Sequence, residues 1–109
     1  MPYAQGDIVF HDYPDSVGHE PSKRRPAIVV SSDFFNLGTS MTLLCPITTA
    51  KNDFPLHIPL PNGLRVSGKV VTEQVRAYDL ESRAPRVIDH LDPASDEMRA
   101  ILQCVKSFF

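Results

Sequence analysis

The sequence predicts a mostly-β (α+β) fold, a small twisted barrel-like sheet with one C-terminal α-helix, on three observations. Ten prolines punctuate the chain. Its apolar residues fall in short runs rich in β-branched side chains, and a single amphipathic stripe of helical period closes the sequence. With 109 residues, 42% of them hydrophobic and 22% charged, residues 1–109 are expected to form one domain with one core. The chain is too apolar for a disordered segment.

The elements follow in order. Gly6-Asp7 opens a first strand at Ile8-Val9-Phe10. Residues 13–25 (YPDSVGHEPSKRR) are polar, rich in Pro and Gly and without periodicity, so they read as a long loop, the kind of segment that tends to carry function. Pro26 to Ser31 is an almost continuous apolar run and reads as a buried strand, its proline at the first position where a missing N–H is tolerated. Met41 to Thr49 reads as another, with Pro46 marking an edge or a bulge. Pro55 to Leu60 alternates as an edge strand would, Asn62-Gly63 and Gly68 are turn signals, Lys69 to Tyr78 is expected to be one strand, and Arg86-Val87-Ile88 a short one. In the last segment Asp92 suits an N-cap and Pro93 the first helical position, with Asp96 and Glu97 near the positive end of the dipole. Met98, Ile101, Leu102, Val105 and Phe108 then form one apolar stripe that must pack on the sheet.

Composition narrows the chemistry. The formal net charge is −2, which provides no global attraction to nucleic acid, but residues 23–86 hold nine Lys/Arg against five Asp/Glu. A local basic surface binds phosphates without a basic chain. Cys45 and Cys104 stand apart in apolar settings and read as buried free thiols. The four histidines are scattered singly, so neither a metal site nor a cofactor is expected. With no basic-then-apolar leader and no apolar run of membrane length, the chain reads as cytoplasmic, without a membrane partner.

No nucleophile–base pair, Gly-rich phosphate cradle or ligand cluster is present, but a set of short words occurs in a definite order. These are Gly6-Asp7-Ile8-Val9, Gly18-His19-Glu20, Lys23-Arg24-Arg25-Pro26-Ala27-Ile28-Val29-Val30-Ser31, Asn36, Pro46-Ile47-Thr48-Thr49, Gly63-Leu64-Arg65-Val66-Ser67-Gly68, Glu73-Gln74-Val75-Arg76 and Asp79. Their order and spacing resemble the MazF/PemK (Kid) family of toxin endoribonucleases, from about residue 6 to the end. The resemblance implies an SH3-like, CcdB/PemK-type fold and metal-independent cleavage of single-stranded RNA at a short preferred sequence. The ribose 2′-OH would attack the adjacent phosphorus to leave a 2′,3′-cyclic phosphate and a 5′-OH. It also implies a homodimer and a cognate antitoxin that covers the RNA groove.

The resemblance assigns the site residue by residue. Arg25 matches the catalytic arginine of the RP word, and a forked, permanently charged guanidinium suits phosphorane oxygens; the bland reading is an Arg paired with a surface acid. Thr48 matches the catalytic threonine, better suited to orienting a hydroxyl than to deprotonating it, and is otherwise a β-branched strand filler. Glu20 matches the loop glutamate and either accepts the 2′-OH proton, orients Arg25, or is merely solvated. Gln74 and Arg76, two apart on the expected strand, would share a face and read a base edge and a phosphate, unless that face is only solvated. Lys23 is a further phosphate contact, while Phe54 and His57 are either base-stacking rings or packing residues. Asp79 anchors Arg76 or caps the next turn.

Several positions depart from the family pattern. Lys69 and Thr72 fall in a strand where many members are more apolar, Glu73 stands where Asp is common, and Ala77-Tyr78 replaces a small-polar and aliphatic pair. These leave Arg25 and Thr48 intact and bear on which RNA sequence is preferred. A non-enzymatic alternative is a CcdB-like inhibitor of a protein target, since fold alone does not separate the two, or an inactive antitoxin-binding paralogue.

Overall fold

The computed structural model describes residues 2–13, 23–51, 53–82 and 84–109, with the side chains of residues 12, 13 and 23 outside that description. Seven strands form one antiparallel sheet: β1 (Asp7–Tyr13), β2 (Lys23–Val29), β3 (Thr42–Thr48), β4 (His57–Pro59), β5 (Lys69–Val71), β6 (Arg76–Tyr78) and β7 (Val87–His90). The order is β4-β5-β3-β2-β1-β7, with β6 also paired to β3. It is a twisted sheet with β4 and β7 at its ends and not a closed barrel.

Alternation along each strand splits the apolar residues into two layers. Ile8, Ile28, Cys45, Ile47 and Val70 point to one face, where Met98 and Ile101 of helix α2 (Asp96–Lys106) cover them. Val9, Ala27, Val29 and Leu44 point to the other, packed with Leu80, Tyr3 and Tyr78. The expected helix therefore forms and buries the expected stripe, but it begins later than the sequence suggests. Its N-cap is Ser95, whose hydroxyl accepts from the Met98 amide at 3.2 Å. Asp92 instead caps a turn ahead of it, its carboxylate accepting from the Ala94 amide at 2.9 Å, and Phe108 lies beyond the helix, partly exposed.

Strand β2 begins at Lys23, within the stretch expected to be a loop, so Pro26 lies inside the strand opposite Phe10 and not at its first position. Three further expectations are corrected. Residues 69–78 do not run as one strand: between β5 and β6 lies a 3₁₀ turn at Thr72–Gln74. Thr72 is fully buried and its hydroxyl donates to the Leu56 carbonyl at 2.6 Å, with Cys104 Sγ at 3.3 Å. That tertiary anchor bends a run whose residue types favour extension. Pro46 is neither at an edge of the sheet nor in a bulge; it is buried inside β3 opposite Ala27. On its outer side β3 pairs with β6 through Thr42–Leu44 and with β5 through Ile47 and Thr48. Pro46 stands where the partner changes, so its missing donor interrupts no outer ladder.

The third correction is an additional helix, α1 (Asp33–Thr39), capped by Ser32, which accepts from the Phe35 amide at 3.1 Å. Its one buried residue is Asn36. The Asn36 side-chain amide donates to the Tyr3 carbonyl at 2.7 Å, and its carbonyl oxygen accepts from the Ser31 hydroxyl. Phe34 and Leu37 stand exposed, so no apolar stripe announces the helix. Both cysteines are free; Cys45 is buried as its setting predicts, whereas Cys104 is only partly buried.

Candidate functional site

The site is built on the sheet face opposite α2, at the end where β1, β2, β3 and β5 meet. His11 of β1 pairs with Arg25 of β2, and Thr48 of β3 pairs with Lys69 of β5, which pairs in turn with Pro59 of β4. The β2–β3 register sets Ala27 opposite Pro46. Arg25 lies two residues before Ala27 and Thr48 two after Pro46, both beyond the last β2–β3 pair and on the same strand face as these two. Directly opposed residues of an antiparallel pair share a face, with Cβ atoms about 4.5–5.5 Å apart. Thr48 and Lys69 therefore form a cross-strand pair, and Arg25 stands on the same face of the sheet.

This face is exposed where chemistry needs it. Arg25 is exposed and Thr48 and Lys69 are half-buried. Among the described residues no carboxylate lies within ion-pair distance of Arg25. Its strand starts among the basic residues 23–25 and continues into the buried run Ala27–Val30, so the guanidinium grows from a rigid base. Thr48 ends β3, and its hydroxyl accepts from the Ala50 amide at 3.1 Å, closing a tight turn that fixes the side chain. Gly68 makes the close passage of β5 possible. Its φ is +130°, and a Cβ there would overlap the Thr48 carbonyl.

Beside Thr48 the surface opens into a cavity of about 280 Å³, lined by Thr48, Thr49, Lys51, Asp53, Pro59 and Lys69 among others. Phe54 follows Asp53 in the chain and meets His57 edge to face, ring centroids 4.9 Å apart. His57 Nε2 lies 2.9 Å from Glu73 Oε2, tying β4 to the 3₁₀ turn. Phe54 is 47% exposed.

On β1, His11 is buried and its ring lies 4.1 Å from that of Tyr78. The Arg76 guanidinium sits over the same Tyr78 ring at 5.7 Å, a cation–π arrangement. Arg76 pairs with Leu44, on the same face as Thr48 and four residues along β3, about 13 Å away. Arg76, Tyr78, His11 and Arg25 are thus linked by ring contacts and a strand pairing, and Thr48 and Lys69 form a second pairing on the same face.

Arg25, Thr48 and Arg76 lie on one face of the sheet, carried by β2, β3 and β6. It places Phe54 and His57 as a pair near the cavity. Gln74 is exposed but belongs to the 3₁₀ turn, so the expectation that it shares a strand face with Arg76 is corrected: the turn breaks the alternation on which that rested. Glu20 and the Lys23 side chain lie outside the described residues. Sequence reasoning missed His11 and Tyr78, whose neighbours come from distant strands, and Lys51, which carried no signal. Lys69 was visible only as a departure from the family pattern.

Known proteins of this architecture share it closely. The family described as the PemK-like, MazF-like toxin of type II toxin–antitoxin systems matches residues 4–109. The endoribonuclease toxin MazF of Escherichia coli K12 is 31% identical over 78 residues, covering 72% of this chain and 69% of that protein. The endoribonuclease EndoA of Bacillus subtilis strain 168 is 30% identical over 99 residues, covering 86% and 82%. Among solved structures, MazF of Deinococcus radiodurans superposes with a TM-score of 0.82 at 28% identity, covering 99% of this chain and 96% of that one. A MazE–MazF structure from the same organism superposes equally well, with the same identity and coverage.

Proposed function

Because the chain belongs to the PemK-like, MazF-like toxin family, we propose that it is an endoribonuclease that cleaves single-stranded RNA and is neutralised by a cognate antitoxin. The observation that supports this reading is the family match over residues 4–109, joined by the placing of Arg25 and Thr48 on one sheet face, with an open cavity beside Thr48. Relatives at 30–31% identity are named endoribonucleases, and a structural relative is a MazE–MazF complex, which supports an antitoxin partner.

The proposed reaction is metal-independent transesterification. The ribose 2′ oxygen bonds to the adjacent phosphorus as the P–O5′ bond breaks, leaving a 2′,3′-cyclic phosphate and a 5′-OH. Negative charge grows on the non-bridging oxygens, and the Arg25 guanidinium meets it with forked N–H donors. The Thr48 hydroxyl, oriented by the Ala50 amide, holds a phosphate oxygen or the 2′-OH in line. Glu20 accepts the 2′-OH proton, or orients Arg25 while solvent water accepts it, and the departing 5′ oxygen takes one proton from the protonated acceptor or from water, so no net proton is gained or lost. Arg76 holds a neighbouring phosphate, Lys23 supplies a further phosphate contact, the Phe54–His57 pair offers a stacking surface, and Gln74 reads a base from the 3₁₀ turn.

The working form is a cytoplasmic homodimer. The apolar side chains of Phe34 and Leu37 are exposed and would favour association. Incubation of the purified chain with a long synthetic RNA in excess EDTA, followed by mapping of 5′ ends, tests activity, sequence preference and end chemistry together. Cleavage leaving 5′-OH ends is expected. Intact RNA, together with a stalled topoisomerase, would transfer the protein to the CcdB-like class.

A further inference from the structure

Lys69 stands next to Thr48 across the β3–β5 pair, on the side away from Arg25. Among the described residues the cavity beside Thr48 is lined by two lysines, Lys69 and Lys51, and one carboxylate, Asp53. Thr49 adds a hydroxyl to the same wall. The cavity is open to solvent, unlike the interior face of β5, where Val70 packs against the core. A lysine bears a compact charge on a flexible stem and serves a phosphate as a point charge.

We propose that Lys69, assisted by Lys51 and Thr49, forms a subsite for a phosphodiester flanking the scissile one, so that the RNA backbone runs along the sheet face from Arg25 past Thr48 into the cavity. The proposal rests on the endoribonuclease reading and deepens it. A cation aimed at a phosphate that does not change charge in the reaction stabilises ground and transition states alike. Its loss therefore raises KM and leaves kcat nearly unchanged. Arg25 acts on the reacting phosphate and would show the opposite split.

Steady-state cleavage of a short RNA containing the mapped cut site tests this, using wild type, Lys69→Met and Lys69→Arg. A second substrate set replaces each phosphate flanking the cut with a neutral methylphosphonate, one at a time. Lys69→Met is expected to raise KM about tenfold at constant kcat, with Lys69→Arg restoring most of the loss. The slope of log(kcat/KM) against log[salt] should fall by about 0.7, the value for one single-strand phosphate contact. One neutral linkage should weaken wild type by a similar factor and leave Lys69→Met unaffected. Because the neutral linkages probe the unaltered protein, a variant that fails to fold does not remove the test. A wild-type enzyme indifferent to every flanking neutral linkage, or a Lys69→Met enzyme with unchanged KM and salt slope, would overturn the subsite while leaving the nuclease reading intact. A wild-type chain that cleaves no RNA would overturn the reading itself, and the subsite with it.

Discussion

The carbonyl of Thr48 occupies the space that a Cβ on residue 68 would need, and Gly68 holds a φ of +130° to let it. The strand carrying Lys69 can approach Thr48 closely only because this position has no side chain. Gly68→Ala is expected to cost about 2 kcal/mol from the strained φ, to displace Thr48, and to lower Tm and cleavage together. Gly63→Ala is the comparator: its φ is +97° but its surroundings are open. It should lower Tm while leaving cleavage near wild type.

Arg25→Ala should reduce kcat by about 10²–10³-fold or more, the scale for removing a donor aimed at developing negative charge, with an unchanged circular dichroism spectrum. Thr48→Val keeps the β-branched shape and removes the hydroxyl, and should cost about tenfold or more in kcat. An Arg25→Ala enzyme cleaving at the wild-type rate would remove that residue from the mechanism.

Ile101 and Met98 are fully buried where α2 crosses the sheet. Ile101→Ala is expected to lower unfolding free energy by about 2–5 kcal/mol, measured by urea denaturation. Val105→Ala, at a partly buried position on the same stripe, should cost less.

Asp89 accepts hydrogen bonds from the backbone amides of Arg65 at 2.7 Å and His90 at 2.8 Å. These two bonds hold its carboxyl below the ordinary value of 3.8. A depressed folded pKa means that the stabilisation is fully present above the unfolded value and disappears as pH falls through the folded one. Asp89→Asn should therefore be less stable than wild type at pH 7, with the gap narrowing below about pH 4. Parallel Tm curves from pH 7 down to pH 3 would contradict this.

Burial, with smaller contributions from Cys104 and Glu73, pushes the Cys45 thiol up to about 12. Only a thiolate is nucleophilic, so iodoacetamide at pH 8 should label Cys104 first and Cys45 only on unfolding. Mass spectrometry of timed digests reads the order.

Most of the fold was legible because its layers depend on local alternation. The runs around Ile8, Ile28 and Cys45 read as strands and are strands, and the stripe through Met98 and Ile101 reads as a helix and packs as one. What escaped depends on partners distant in sequence. The 3₁₀ turn exists because Thr72 bonds to Leu56, and α1 is held by Asn36 through Tyr3 and Ser31, polar contacts that leave no periodic trace. At the site, Arg25 and Thr48 were found through family words. Lys69 was noticed as an oddity, and only the β3–β5 register turns it into a neighbour of Thr48.

The change of partner along β3 at Pro46 divides the sheet beyond it into two branches that share one trunk. The branches stay coupled at their root, because the Thr72–Gln74 turn runs directly from β5 to β6 and its Glu73 meets His57 of β4. The trunk tolerates little change, since Leu44, Cys45 and Ile47 are core residues directly upstream of Thr48. A substitution at the turn is therefore felt in both branches at once, whereas one at the far end of either branch is felt only there.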